Sequence, residues 1–464
     1  MGKVNDALRN TLNAYSIGQS QLADSLQVER PTVFRWYHGK TDPTGETIAA
    51  IAQALHDIEP EAARDFVRSF LGDFASNSVI ASDNVPIVQP RTLPESDRVS
   101  VATLAQLLEN TTNSYKYLFL LSLLDILKRR QFDVLSPISF TELTIEMLAN
   151  AWYPHTYFRL SFGRQDCIAD KLDALDLDIT EPILKFTDTD KRQLRRTIQA
   201  QELGDVVSFI SQYVPFRLIR PFFQAETKGL KDSQVNQRIT SLAALEFITR
   251  KPLYCFNTLP VRDCNAIVLH QDWIDYLAEN FAIVRGWVAW EWLQYMQRRN
   301  PSTPNVVGKL FAPQNRGSLN KPAKLWKVAI KRHDLRCIYS GEPLNAERIA
   351  IDHFLPWSFV AHDLPWNLIP TTPEVNSSKS NHLPALQYFD GFVSLQHLGL
   401  VVARDTMKGK TWESHIEPYI ADLQLAADDL LECDRLHRAY ELTLKPLLSL
   451  ASQQGFSRDW IYRA

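Results

Sequence analysis

Residues 337–384 read CIYSGEPLNAERIAIDHFLPWSFVAHDLPWNLIPTTPEVNSSKSNHLP, the densest run of chemically meaningful side chains in a chain of 464 residues. Residues 349–354 fit a short strand ending in Asp352-His353, and Pro356-Trp357 breaks it. Asn367-Leu368-Ile369 fits a returning strand, after which Pro373-Glu374 opens a helix carrying Asn376 and Lys379. The pattern predicts a strand–loop–strand–helix unit.

Such a unit can hydrolyse a phosphodiester. Asp352 is a hard oxygen ligand and Asn376 supplies another. Two such ligands with open positions suit magnesium, which keeps several waters and binds phosphate oxygens. His353 can take a proton from water near neutral pH. Asn367 is expected to hold His353 through a side-chain or backbone hydrogen bond. Lys379, one helical turn beyond Asn376, is expected to meet phosphate charge. A metal facing the leaving oxygen, with a histidine activating water opposite, makes a workable hydrolase.

The ordered set Asp352-His353, Pro356, Ser358-Phe359, Asn367, Asn376 and Lys379 resembles the HNH (ββα-metal) endonuclease family. Its closest likeness is to the HNH domain of RNA-guided CRISPR effector nucleases. The resemblance implies that His353 is the general base, that Asp352 and Asn376 hold the metal, and that Asn367 orients the base. It covers about 50 residues. Many HNH proteins place a CxxC pair before the motif, whereas here Cys337 stands alone. No structural zinc is therefore expected. Asn376, where others have histidine, favours Mg2+ or Mn2+ over zinc. Nearby His333, His362 and His382 read as surface or supporting residues.

Upstream, residues 298–332 hold nine Lys and Arg and no Asp or Glu. Lys321, Lys324, Lys327, Lys331 and Arg332 are candidate contacts for nucleic-acid phosphates, with Phe311 and Trp326 interleaved. The total charge of −3 alone argues against a nucleic-acid binder. That inference fails because the charge is segregated along the chain.

At the N-terminus, residues 19–55 read QSQLADSLQVERPTVFRWYHGKTDPTGETIAAIAQAL. Leu22, Ala23 and Leu26 line one short helix. A second helix starts near Arg30, with Pro31 in its first turn, and Gly39 ends it. The stretch resembles the Cro/repressor-type helix-turn-helix family over residues 4–57. The resemblance implies base-edge contacts from Arg30, Thr32 and Arg35, and phosphate contacts from Gln19 and Lys40. Residues 1–60 carry five basic against seven acidic residues, so this module must rely on a few arginines.

The expected architecture is mainly α and multidomain: a helix-turn-helix bundle over 1–75, a linker over 76–100, a helical region over 101–300, an HNH unit over 301–400, and a helical extension over 401–464. The apolar run 117–127 contains Asp125 and ends in three basic residues, so it reads as a buried helix rather than a membrane span. Five widely spaced cysteines without a CxxC argue against a disulfide framework. A cytoplasmic protein without membrane contact is expected. The leading functional expectation is a magnesium-dependent DNA endonuclease, in bacterial defence or restriction by association only. The alternatives are a transcriptional regulator with a non-catalytic HNH fold, or a nuclease acting on RNA. Residues 101–300 leave room for a partner protein or activating signal, and the chain for a homodimer.

Overall fold

The computed structural model describes residues 3–26, 28–41, 43, 45–71, 93–109, 111–133, 136–175, 177, 188–311 and 318–463. Most of the expected linker, and Arg316 of the basic run, lie outside these residues. The chain is mainly helical with small antiparallel sheets. It divides into two compact units, Met1–Pro90 and Arg91–Ala464.

The first unit holds helices Lys3–Ala14, Gln19–Leu26, Arg30–Tyr37, Gly45–Ile58 and Pro60–Leu71. Its core contains Leu8, Leu22, Ala23, Val33, Trp36, Ile51, Leu55 and Phe66, spaced to line one face of each helix. Pro31 lies in the first turn of Arg30–Tyr37, and the helix closes with Gly39 at φ +63°.

The second unit has two hydrophobic cores. The first is built mainly from residues 93–306 around helix Tyr115–Arg129, with ten of its fifteen residues buried. Leu93 and Val99, within the stretch of linker composition, are buried in it. A three-stranded antiparallel sheet, in the order Ile138–Ser139, Ala266–Leu269, Tyr254–Phe256, lies within this region. Strands of two to four residues are too short to impose a readable period-2 pattern. Trp292 is buried, whereas Trp290 is 58% exposed. No described helix is long and apolar enough to cross a membrane.

The second core runs from Leu325 to Phe456 and surrounds the ββα unit. Helix Asn320–Arg332 turns Leu325, Trp326 and Ala329 inward. The Trp326 ring lies so close to Gly399 that a Cβ there would sit 2.8 Å from it. Helices Phe389–Thr406, Lys410–Leu423 and Cys433–Gln453 complete the surround.

Candidate active site

Strand Ala350–His353 pairs antiparallel with Leu368–Thr371, setting Asp352 opposite Ile369 and His353 opposite Leu368. Helix Pro373–Lys379 follows because Thr372 caps it, its side chain accepting from the Val375 N–H, and Pro373 occupies the first turn. This is the ββα order read from the sequence.

The centre is a buried polar cluster. Asp352 is 3% exposed. Its Oδ2 accepts from the Tyr339 hydroxyl at 2.7 Å, and its Oδ1 from Lys379 Nζ at 3.1 Å. Lys379 Nζ also donates to the His353 carbonyl at 2.6 Å. Lys379 is fully buried, which corrects the expected phosphate contact: its ammonium ties the helix to the strand. Burial pulls the Lys379 pKa down, and Asp352 opposes that shift.

Asn367 departs from expectation in a similar way. Its Oδ1 accepts from Leu355 N–H at 2.8 Å and its Nδ2 donates to Leu355 O at 2.9 Å. Its backbone carbonyl accepts from Phe354 N–H at 2.9 Å. Asn367 thus pins the turn directly after His353, not the imidazole. Asp363 lies against the ring, its Oδ1 2.8 Å from His353 Nε2. The contact through Nε2 fixes the orientation of the ring. His362, the residue before Asp363, is pushed down to about 4, first by burial and then by His353. It is a neutral ring packed on Trp366, with centroids 5.3 Å apart.

Tyr339 and Asp363 were not singled out from the sequence. Tyr339 lies thirteen residues before Asp352 and Asp363 ten after His353. Only folding brings each to its partner, although an acid inside the loop between the two strands was a usable signal.

The donors available to a divalent ion are Asp352 and Asn376. Each oxygen of Asp352 accepts from one donor among the described residues, which leaves lone-pair capacity on both. Asn376 is half-buried, one turn before Lys379, and its amide makes no side-chain hydrogen bond among the described residues. The described residues hold no cluster of three or more His, Cys, Asp or Glu suited to a metal. This donor set fits a hard cation that keeps most positions for water or phosphate oxygens. Cys337 is buried, with Sγ 3.3 Å from the Thr371 hydroxyl.

The basic run divides. On helix Asn320–Arg332, Lys321, Lys324, Lys331 and Arg332 are exposed and Lys327 is half-buried; Lys324, Lys327 and Lys331 lie opposite the face carrying Leu325, Trp326 and Ala329. Lys331 pairs with Glu347 at 3.2 Å and Arg332 with Asp405 at 3.8 Å. Lys321 and Trp326 line a cavity of about 560 Å³ together with Asp363 and Leu368. The basic helix therefore borders the histidine's partner. Lys309 is a correction to the basic run. It is 1% exposed, its Nζ has no hydrogen-bond partner among the described residues, and it lies 5.3 Å from the Phe359 ring centroid. It does not reach a phosphate.

The loop after His353 is also held by the first core. Trp357 packs against Tyr157 and Phe158, with ring centroids 6.5 and 5.8 Å away. Asn305 Nδ2 donates to the Ala361 carbonyl at 2.7 Å while its Oδ1 caps Gly308 N–H. In the first unit, Gln19 and Thr32 are half-buried, and Arg30, Arg35 and Lys40 are exposed. Arg35 donates to the Thr32 hydroxyl at 3.2 Å, and Lys40 lies over the Phe34 ring.

Comparison with known proteins agrees with the local geometry. Residues 337–385 match the family model described as HNH endonuclease. No curated protein and no solved structure gave a match. HNH nucleases generally use a divalent metal and act on nucleic acid. The chain thus carries, over residues 337–385, an HNH endonuclease domain, of a family of phosphodiester hydrolases.

Proposed function

We propose that this protein is a metal-dependent DNA endonuclease. The observation that carries the reading is buried His353, hydrogen-bonded to the half-buried Asp363 and adjacent to Asp352 on one strand of a ββα unit whose helix carries Asn376. His353 accepts the proton of the attacking water, and Asp363 orients its ring and stabilises the charge it gains. Asp352 and Asn376 would hold Mg2+ or Mn2+, which when bound stabilises charge on the phosphate and leaving oxygen. Lys379 and Tyr339 position Asp352, and Asn367 positions the chain that follows His353. Lys321, Lys324, Lys327, Lys331 and Arg332 contact the phosphate backbone. The N-terminal helices act as a helix-turn-helix, with Arg30, Thr32 and Arg35 at base edges and Gln19 and Lys40 at phosphates. Self-association, an activating partner acting through residues 101–300, and a task in defence or restriction belong to the same proposal.

The test is cleavage of plasmid DNA and labelled RNA with Mg2+, with Mn2+ and with EDTA, comparing wild type and His353→Ala. Metal-dependent DNA cleavage lost in the variant is expected. Cleavage that survives the substitution would remove His353 from its role, and preferential RNA cleavage would reassign the substrate. One observation favours a second reading, a DNA-binding regulator with a silent HNH fold: both oxygens of Asp352 are engaged by internal donors. That reading expects operator binding that depends on Arg30 and Arg35, with no effect of Asp352→Ala.

A further inference from the structure

Away from the ββα unit, the 101–300 region contains a cavity of about 540 Å³. Lys116, Arg217, Arg220 and Lys228 line it, with Gln224 and one carboxylate, Glu109, which is exposed. Lys116 is half-buried and makes no ion pair or hydrogen bond among the described residues. It stands in the first turn of helix Tyr115–Arg129, where the helix dipole already disfavours a cation. Arg217 is turned partly toward Asp232, with Nη2 3.0 Å from Oδ1. Arg220 is braced by Thr227, donating to its hydroxyl and its carbonyl at 3.2 Å each. These bonds hold the guanidiniums near Lys116. Burial first, and then Arg220 and Arg217, lower the Lys116 pKa.

Four cations gathered into one concavity, with only Arg217 ion-paired and Lys116 without a partner among the described residues, are destabilising unless a further negative group joins them. The closest residues are held there by the fold, so chance snorkelling of surface lysines does not explain the gathering. The preformed forks of arginine suit phosphate oxygens. The cavity volume falls within the range of small-molecule sites.

We propose that this cavity is a binding site for a small phosphate-bearing ligand, held by Lys116, Arg217, Arg220 and Lys228. The inference is independent of the nuclease reading. It gives the helical region a ligand-binding task of its own.

The test uses the full chain in EDTA, so that cleavage plays no part. Thermal unfolding and calorimetric titration are measured with inorganic pyrophosphate, with ADP and with a short DNA duplex, for wild type, Lys116→Met and Lys228→Ala. Pyrophosphate or ADP is expected to raise the wild-type Tm, and each substitution to weaken binding about tenfold or more. Lys116→Met relieves like-charge crowding, so its ligand-free Tm is expected to equal or exceed wild type. The exposed Lys228→Ala checks that lost binding is not lost folding. No Tm rise with pyrophosphate or ADP at millimolar concentration overturns the proposal, as does a rise equal in all three proteins. Stabilisation by the duplex alone, lost in Lys116→Met, overturns the small-ligand assignment and makes the cavity part of a DNA track.

Discussion

Two buried carboxylates, one in each core of the second unit, show how similar burial can serve different ends. Glu146, in the helical region, is fully buried and ringed by cations: Arg129 at 2.7 Å, Lys191 at 2.7 Å and Arg195 at 3.4 Å. Lys191 also reaches Asp125, which Arg285 holds from another side. Burial would raise the Asp125 pKa, yet Lys191 and Arg285 hold it below the usual range. This network is closed, and what it holds is helix against helix. Asp352, in the ββα unit, has one lysine and one phenol as its hydrogen-bond donors among the described residues. Its surroundings keep capacity for an incoming cation and phosphate. The difference teaches that two similarly buried carboxylates are told apart by what their neighbours leave open.

The largest expected effect breaks the chemistry and spares the fold. His353→Ala should lower cleavage about 10²- to 10⁴-fold, the usual contribution of a general acid–base group, with unfolding curves close to wild type. Asp363→Asn should lower it less, since it disturbs the ring's orientation and leaves the base in place; equal losses would make Asp363 a principal actor.

Glu146→Gln should do the reverse. Removing one member of a buried ionic network costs about 3–5 kcal/mol, read as a fall in the urea midpoint. A change below about 1 kcal/mol would mean that the network is solvated and the contrast with Asp352 overstated.

A smaller effect concerns Lys309, whose burial pushes it down to about 7 from an ordinary 10.5. Between those values the unfolded chain binds the proton that the folded chain releases. Wild-type stability should therefore rise with pH across that window and be lost as pH falls toward 7. Lys309→Met should flatten the rise and raise Tm near pH 7 by a few degrees. An unchanged pH profile would place a counter-charge beside Lys309.

The smallest effect is on DNA affinity. Lys324→Ala should reduce the slope of log binding against log salt by about 0.9, the value of one phosphate contact on duplex DNA, measured with Ca2+ in place of Mg2+. An unchanged slope would take Lys324 off the DNA.

Much of this was legible in the chain. The residues of the ββα unit were readable because turn residues and short apolar runs bracket them, and the ordered Asp352, His353, Asn367, Asn376 and Lys379 could be placed before any coordinates. The helices of the first unit were readable from apolar spacing and from Pro31 and Gly39. What escaped depended on long-range closure. A short strand such as Ile138–Ser139 becomes a strand only when Ala266–Leu269 arrives beside it. Lys309 counted as one more cation of the basic run because charge is read residue by residue, and the ring that lies against it is fifty residues away.

By itself, then, the sequence determined that the chain is mainly helical, that an HNH unit lies near residues 337–385, and which side chains could carry its chemistry, because local periodicity and motif order are properties of neighbours along the chain. The tertiary structure alone decided that Asp363 backs His353, that Tyr339 and Lys379 hold Asp352, that Asn367 grips Leu355, and that three further cations meet around Lys116. Those pairings join residues distant in sequence, and each side chain's charge, partner and exposure come from the packing that brings them together.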